Sequence, residues 1–417
     1  MPIFQKNGKV KQVQRDPFIN NSFYLILSKG ISISSGFFFW LLAARFYSIE
    51  DVGLATGLIS SLALIMLFSN LGFDFALIRF IAIDDKNKIF NTCLTITSLT
   101  SFVVGTFYIL ISYLTSLIPN YIFKMEYIIV FLIIVILNSM TLIIGNGLIA
   151  LKKAKLFFIQ NIIIAMRALF LFFFVSWGYI GIFMASGLVY LPASLFVFFY
   201  LKNLLQFNLK IDTDFVKKSF KFSCGNYIAS ILLIAPSLIL PLMVLSLLGE
   251  AEAAKFYIAF TIGNVVLIIP DSLSTSLLVE GSYGGNLKNI IIKAIITCYF
   301  LLIPALLTTH FFGDFFLGLF GEEYIIAFNF LQLIVVSSIF VTPYLLLIPA
   351  LNVKMEVNSI IKLNFVRFIM IMILSYVAMS RIGLLGVGYA WIFTHILLII
   401  PIAAMIWKNR CRFDDNY

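Results

Sequence analysis

Residues 178–185 read GYIGIFMA, and residues 383–390, which lie 205 positions later, read GLLGVGYA. A second match keeps the same order at an offset of 200 positions: Ala150-Leu151 with Arg167, and Ala350-Leu351 with Arg367. Self-similarity at one long period is typical of a duplicated architecture. In transporters, such repeats place the substrate site at the interface between the copies. The sequence therefore predicts two copies of one helical bundle, each with an arginine in its interior.

The composition is that of a membrane protein. Hydrophobic residues make up 62% and charged residues 12% of the 417 residues, whereas soluble domains carry about 25% charged residues. Apolar runs of about 20 residues, each long enough to cross roughly 30 Å of hydrocarbon, recur along the whole chain. Continuous runs exclude the alternating pattern of a membrane β-barrel. We therefore predict an all-α polytopic membrane protein with about twelve transmembrane helices.

These spans divide evenly between the two copies of the repeat. Because six is an even number, both copies start on the same side of the membrane and form parallel repeats. The predicted order is a cytoplasmic segment, an N-terminal six-helix bundle, a cytoplasmic linker, a C-terminal six-helix bundle and a cytoplasmic tail, at 1–22, 23–201, 202–221, 222–407 and 408–417.

Basic residues predict the orientation of the chain. Most of the 29 lysines and arginines fall on the side of the N-terminus. Four fall on the other side: Arg45, Lys124, Lys255 and Arg381. Lysine and arginine concentrate in short cytoplasmic loops, so we expect both termini in the cytoplasm and the chain in the cell membrane. The net charge of +10 is then explained by topology and lipid headgroups rather than by nucleic acid.

Three basic residues fall inside predicted spans: Lys29, Arg167 and Arg367. A charge at the bilayer centre costs roughly 2.5–3.5 kcal/mol, so such residues usually face protein or a water-filled cavity. The planar guanidinium matches the geometry of phosphate oxygens. We therefore predict that these three residues bind a phosphate or pyrophosphate group. The alternatives are arginines bonded to carbonyls within their own bundle and, for Lys29, a side chain that reaches the cytoplasmic headgroups.

Other polar side chains within the spans supply weaker candidates. Asn226 and Asn138 are candidate ligands of sugar hydroxyls, or else members of interhelical hydrogen bonds. Asp271 is a candidate coupling site for H⁺ or Na⁺, a partner of a buried arginine, or an acid near a helix end in contact with water. Asp74 is a candidate of the same kind, with Arg79 as its local ion-pair partner.

The sequence contains no pattern of an enzyme site. The four cysteines lie far apart and only two histidines are present, so neither a disulfide framework nor a zinc site is indicated. A nucleophile elbow, a nucleotide fingerprint and a phosphate loop are all absent from the sequence. We therefore predict that the protein is not an enzyme and has no catalytic residue, no metal and no cofactor.

Two segments near the start of the chain carry a family resemblance. Residues 44–55 read ARFYSIEDVGLA, and residues 69–80 read SNLGFDFALIRF. With Ser28-Lys29-Gly30, they resemble the start of polysaccharide-type flippases such as O-antigen exporters. These belong to the multidrug/oligosaccharidyl-lipid/polysaccharide transporter superfamily. The closest resemblance covers residues 20–80, and it implies a V-shaped pair of six-helix bundles around a cationic central cavity.

The resemblance and the buried cations together predict a flippase. It would move a polyprenyl-(pyro)phosphate-linked oligosaccharide across the cell membrane by alternating access, for surface polysaccharide or glycan assembly. The expected partners are this lipid-linked oligosaccharide, the lipid bilayer, H⁺ or Na⁺, and glycan-assembly enzymes, but no nucleic acid.

Two alternatives stay open. One is a multidrug extrusion cation antiporter of the same fold, although no acidic residue lies in 23–44 or 222–247. The other is a membrane-embedded glycan polymerase or glycosyltransferase, although no loop exceeds about 20 residues and such an enzyme usually carries a long extracytoplasmic loop.

Overall fold

The molecule is described by a computed structural model, which covers residues 17–81, 84–115, 125–202, 205–208, 210–282 and 286–408 and most of their side chains. Nearly all of this part of the chain is helical, and no β-strand occurs within it. Twelve segments in it are helical, long and apolar enough to cross a membrane. The predictions of an all-α, multi-pass membrane protein with twelve spans are therefore confirmed.

The N-terminal bundle contains nine α-helices in the described residues, and eight of them form its six spans. They are α1 (Pro17–Phe46), α2 (Ile49–Ser69), α3 (Phe73–Phe80), α4 (Lys86–Thr115), α5 (Met125–Ala150), α6 (Ala154–Ala165), α7 (Arg167–Phe173), α8 (Gly178–Leu188) and α9 (Tyr190–Leu201). The pair α6 and α7 forms the fifth span, and the pair α8 and α9 forms the sixth. Helix α3 lies between the second and third spans and is too short to cross.

The C-terminal bundle contains six long helices and one short helix. They are α10 (Thr213–Leu248), α11 (Glu250–Ser282), α12 (Leu287–Gly318), α13 (Glu322–Ile325), α14 (Phe328–Val353), α15 (Val357–Ile382) and α16 (Leu385–Lys408). Helices α10 and α14 each contain two prolines. Proline removes a backbone hydrogen bond from the helix interior, so each of these helices contains backbone carbonyls that side chains can bind.

Both copies of the repeated motif form the same tight turn before the last span of their bundle. Gly178 has a φ of 55° and Gly383 a φ of 61°, a left-handed conformation that glycine adopts without steric cost. Three residues later, a methyl group at Gly181 or at Gly386 would overlap a backbone carbonyl near the end of the preceding span. The two repeated segments therefore form the same turn, and this turn requires glycine at two positions.

The segment between the bundles is attached to the N-terminal bundle. The carbonyl oxygen of Gln206 accepts a hydrogen bond from Asn91 Nδ2 at 2.7 Å. The carboxylate of Asp212 accepts one from the Phe215 backbone N–H at 2.8 Å and so caps α10. The predicted linker at 202–221 therefore ends inside a continuous helix. We call the membrane side on which this segment lies the linker side.

The two bundles touch at both ends of α2: Tyr227 of α10 bonds its linker-side end, and further contacts lie on the side opposite the linker. There, a methyl group at Gly53 in α2 would overlap the backbone carbonyl of Glu250 at the start of α11. Arg45 at the end of α1 donates from Nε to the carbonyl oxygen of Leu319 at 2.7 Å. The largest cluster of buried apolar residues also contains side chains from both bundles. The bundles are therefore packed together at this end of the molecule.

This contact predicts the effect of adding a single methyl group. Gly53→Ala should push α2 away from α11, because overpacking of a tight contact costs about 1–3 kcal/mol. Hydrogen–deuterium exchange should then become faster in the first turns of α2 and α11. Gly30→Ala is the matched control, because the added methyl group would have no atom within 4 Å. Unchanged exchange in Gly53→Ala would show that the bundles do not depend on this contact.

Candidate functional site

Arg167 lies where the fifth span is interrupted. Helix α6 ends at Ala165 and α7 begins at Arg167. At the break, the backbone N–H of Met166 donates to the carbonyl oxygen of Ile163 at 3.1 Å, a tighter turn than that of an α-helix. Helices α6 and α7 pack along α1. The interruption therefore places the arginine against the first span, within the N-terminal bundle.

The guanidinium of Arg167 is surrounded by aromatic side chains. Its Cζ lies 5.0 Å from the centre of the Phe39 ring, within the range of a cation–π contact. Tyr190 of the same bundle and Tyr257 of α11 lie within electrostatic range of it. Its Nε is buried and has no hydrogen-bond partner among the described residues. The positive charge is therefore only partly balanced, and it lies beside a helix of the other bundle.

Tyr257 of α11 lies at the contact between the two bundles, close to Arg167. Its ring centre lies 4.6 Å from that of Trp40 in α1. Sequence reasoning did not identify either residue, because an aromatic pair on two helices of different bundles has no signature in the sequence. The contact closes the interface next to Arg167.

Lys29 lies on the face of α1 that Arg167 touches. Arg167 Nη2 is 3.4 Å from the position that a Cβ on Gly36 would occupy. Lys29 precedes Gly36 by seven residues, which is two helical turns or about 10 Å along the same face. The side chain of Lys29 is exposed and that of Arg167 is half-buried. The ion pairs of the described residues involve neither side chain. Two positive charges without acidic partners among the described residues therefore lie along one face of α1.

Arg367 has a different environment. It is 5% exposed, inside the C-terminal bundle. Its Nε donates to His395 Nε2 at 3.1 Å, and its Nη1 donates to the carbonyl oxygen of Leu233 in α10 at 3.1 Å. The rings of Tyr344 and Trp391 lie 5.0 and 5.3 Å from its Cζ. The guanidinium is therefore bonded within its own bundle.

A second polar side chain of α15 continues this network. Asn364 Oδ1 accepts a hydrogen bond from the Tyr344 hydroxyl at 2.7 Å. Its Nδ2 donates to the carbonyl oxygen of Ala229 in α10 at 2.9 Å. Because His395 Nε2 accepts from Arg367, the ring proton lies on Nδ1, which is 2.7 Å from the Trp391 carbonyl. The network joins α10, α14, α15 and α16.

That Lys29, Arg167 and Arg367 bind a phosphate or pyrophosphate group stays a prediction, and the described contacts distinguish the two arginines. Arg367 corresponds to the alternative, a structural arginine that binds a carbonyl within its own bundle. The two arginines occupy corresponding places in the repeat, but only Arg167 lies beside a helix of the other bundle. We therefore leave Arg367 out of the proposed substrate site.

The remaining candidates are scattered over the fold. Asn138 is buried in α5, and Asp271 is exposed in α11. The side chain of Asn226 lies outside the described residues. Asp74 is half-buried in the first turn of α3, and Arg79 is exposed in its last turn. These five residues are not brought together with Lys29 and Arg167 by any described contact.

Comparison with known proteins identifies the fold. No protein-family model and no curated protein sequence matches the chain. Solved structures do match. An inward-facing multidrug resistance MATE family transporter of the MOP superfamily is 17% identical, with a TM-score of 0.65 and 94% of each chain covered. The chain has the fold of a MOP-superfamily transporter.

Two further structures with this fold are described in different terms. The lipid II flippase MurJ, in an inward closed conformation, is 13% identical, with a TM-score of 0.68 over 93% of this chain and 87% of that one. A MOP-superfamily transporter from Pyrococcus furiosus, described as having a binding pocket of reverse polarity, is 14% identical, with a TM-score of 0.63 and 95% of each chain covered. The shared fold is thus compatible with more than one cargo.

The two arginines should respond differently to the same substitution. Arg367→Met removes the donors to His395 and to the Leu233 carbonyl, and a buried group left without its partner costs about 1–3 kcal/mol. Arg167→Met removes mainly a cation–π contact, worth about 0.5–1 kcal/mol. Unfolding in mixed micelles with increasing SDS should therefore show the larger loss of stability for Arg367→Met. Equal losses would contradict the different roles that we assign to them.

Proposed function

We propose that this protein is a flippase for a lipid with an anionic headgroup, of the polyprenyl-(pyro)phosphate-linked oligosaccharide class. The observation that carries the proposal is a pair of cations, Lys29 of α1 and Arg167 of α7, along one face of α1, without acidic partners in the part of the chain that the structure describes. Arg167 adds an Nε that has no hydrogen-bond partner among the described residues. A phosphate or pyrophosphate offers the acceptors and the negative charge that this face lacks.

The chemistry of the two cations suits this cargo. A guanidinium binds phosphate oxygens through two parallel hydrogen bonds, and an ammonium acts as a mobile point charge. Lys29 lies nearer the linker side, and Arg167 lies two helical turns further along α1. We infer that the headgroup meets Lys29 first and then Arg167. The two positions lie about 10 Å apart along α1, and this step is the first part of the headgroup's path across the membrane.

Alternating access supplies the second half of the path. The contacts of Arg45 with Leu319, and of Trp40 with Tyr257, join the bundles on or toward the side opposite the linker. A headgroup held at Arg167 is released on that side only when these contacts break. The described conformation is therefore closed toward the side opposite the linker, while Tyr227 of α10 also bonds the linker-side end of α2.

The excess of basic residues on the linker side supports a cytoplasmic location for that side. Cargo would then move from the inner to the outer leaflet of the cell membrane. The products of such a step are lipid-linked sugars for surface polysaccharide or glycan assembly, and glycan-assembly enzymes are the proposed functional partners.

The multidrug antiporter is the second candidate, because a MATE transporter shares the fold. A cationic drug would require an acidic residue near the path. The first span has none at 23–44, and the seventh has none at 222–247. Two cations along α1 would instead repel such a drug. The charge of the site therefore favours the anionic lipid.

Transport in reconstituted liposomes tests the proposal. The cargo is a fluorescent polyprenyl-pyrophosphate-linked disaccharide, and a membrane-impermeant quencher reports the leaflet that it occupies. Arg167→Met should slow transfer about 10- to 100-fold, because a hydrogen bond to a charged group contributes about 1.5–3 kcal/mol. Arg167→Lys should retain part of the rate, since it keeps the charge but loses the planar fork. Lys29→Met should slow transfer as well.

Arg381→Met is the matched control, because Arg381 is an exposed arginine at the end of α15, outside the proposed path. It should transport at the unmodified rate. Normal transfer by both Arg167→Met and Lys29→Met would overturn the site. Export of a cationic dye by the unmodified protein, without transfer of the lipid, would favour the antiporter.

A further inference from the structure

A pocket lies within the N-terminal bundle, toward the membrane surface opposite the linker. It has a volume of about 630 Å³ and is lined by residues of α2, α5, α8 and the turn before α8. Ligand pockets of proteins typically measure about 300–1,000 Å³. Tyr127, which begins the fourth span, and Trp177, near the start of the sixth span, both line it. The pocket therefore extends from that membrane surface into the bundle.

The inner wall of the pocket is apolar. None of the ten described residues that line it is charged. Phe131 of α5 and Phe183 of α8 are 6% and 3% exposed, and their rings stack with centres 5.5 Å apart. Leu58 of α2 and Ile180 of α8 line the pocket beside them. A buried water molecule needs about two to four polar partners, which these side chains do not offer.

The bilayer offers a better occupant than water. An empty apolar cavity is unfavourable, because the side chains around it lose their dispersion contacts. Val130 of α5 lines the pocket, and its helix neighbours Ile129 and Ile133 are 51% and 48% exposed. The wall of the pocket is thus continuous with an exposed apolar surface of a membrane span. Lipid hydrocarbon chains are the apolar molecules at the highest concentration beside such a surface.

The residues at the membrane surface suit the polar end of a lipid. Trp177 is 54% exposed, and Tyr127 and Tyr179 are half-buried. Tryptophan and tyrosine concentrate at the membrane–water interface, where their amphipathic rings lie at the level of the headgroups. Amphipathic rings at the surface and apolar side chains inside match a molecule with a polar end and a hydrocarbon chain.

We propose that this pocket binds one acyl chain of a phospholipid from the leaflet opposite the linker. The chain packs against Phe131 and Phe183, and the headgroup lies near Tyr127 and Trp177. The site is separate from the proposed cargo site, because Lys29 and Arg167 belong to other helices. Since the described wall carries no charge, it selects hydrocarbon and not an anionic headgroup.

A chain in the pocket packs behind a helix that touches the C-terminal bundle. A Cβ on Gly57 of α2 would lie 2.5 Å from a methyl carbon of Leu245 in α10, whereas the next residue, Leu58, lines the pocket from another face of α2. The backbone N–H of Tyr179 donates to Asp51 Oδ1 at 2.8 Å, which joins the pocket to the first turn of α2. The chain therefore supports α2 in its present position. An effect of this support on transport rests on the proposed function, but binding of the chain does not.

Photo-crosslinking of the full-length protein in lipid nanodiscs tests the site without any cargo. The probe is phosphatidylcholine with a diazirine midway along one acyl chain. Its zwitterionic headgroup has no net charge that could draw it to basic residues. After irradiation, peptide mass spectrometry should find adducts on Phe131 and Phe183, because a chain inside the pocket lies against both buried rings.

Matched substitutions on α5 separate the pocket from the lipid-facing surface. Val130→Phe should lower labelling of Phe183 about tenfold or more, because the added ring occupies space that the chain needs. Val130→Ala leaves that space open and should retain the labelling. Ile129→Phe adds a ring of the same kind one residue away, at an exposed position that does not line the pocket. It should leave the labelling of Phe183 unchanged.

Four results would overturn the proposal. They are adducts of the unmodified protein on exposed residues alone, full labelling of Phe183 in Val130→Phe, loss of labelling in Val130→Ala, and equal loss in Ile129→Phe. Displacement of the probe by one polyprenyl pyrophosphate per chain would show that the tail of the cargo is the occupant, and would overturn the phospholipid. Because the assay requires no transport, its failure leaves the flippase proposal standing. Normal labelling of a protein that does not move the lipid-linked sugar would overturn the flippase alone.

Discussion

The cost of an arginine in the apolar interior of a membrane is the constraint on which the rest of this structure depends. A guanidinium there needs several acceptors or π faces around it. The C-terminal bundle supplies them all to Arg367 from α10, α14 and α16. The N-terminal bundle supplies only aromatic neighbours to Arg167. The Arg367 charge is therefore satisfied within its bundle, whereas Arg167 Nε has no hydrogen-bond partner among the described residues.

This difference separates the two copies of one ancestral bundle by role. The copies keep the same glycine turn before their last span, which preserves the shape of the bundle. In the C-terminal copy, side chains of α15 bind carbonyls of α10 near Pro236 and so join the two helices. In the N-terminal copy, α1 presents Lys29 and the position next to Arg167 along one face. We propose that the first copy is arranged for binding, and the second for internal rigidity.

Much of the fold followed from the sequence, because membrane spans depend on local composition. The twelve spans and the repeat of the sequence motif needed no knowledge of packing. The site was less predictable, because its members come from separate helices. Arg167 and Arg367 occupy corresponding positions in the sequence repeat. The imidazole and carbonyl partners of Arg367, which only the structure shows, distinguish it from Arg167. Tyr257 depends on contact between bundles, and the linker boundary inside α10 depends on the packing of Phe215.

The most direct measurement of the central claim is a cryo-electron microscopy map of the protein with polyprenyl pyrophosphate bound. The account predicts phosphate density between α1 and α7, with phosphate oxygens about 2.7–2.9 Å from the terminal nitrogens of Arg167. The network of Arg367, His395 and the Leu233 carbonyl should remain unchanged. Phosphate density at Arg367, with Arg167 still packed on Phe39 and away from the ligand, would contradict it.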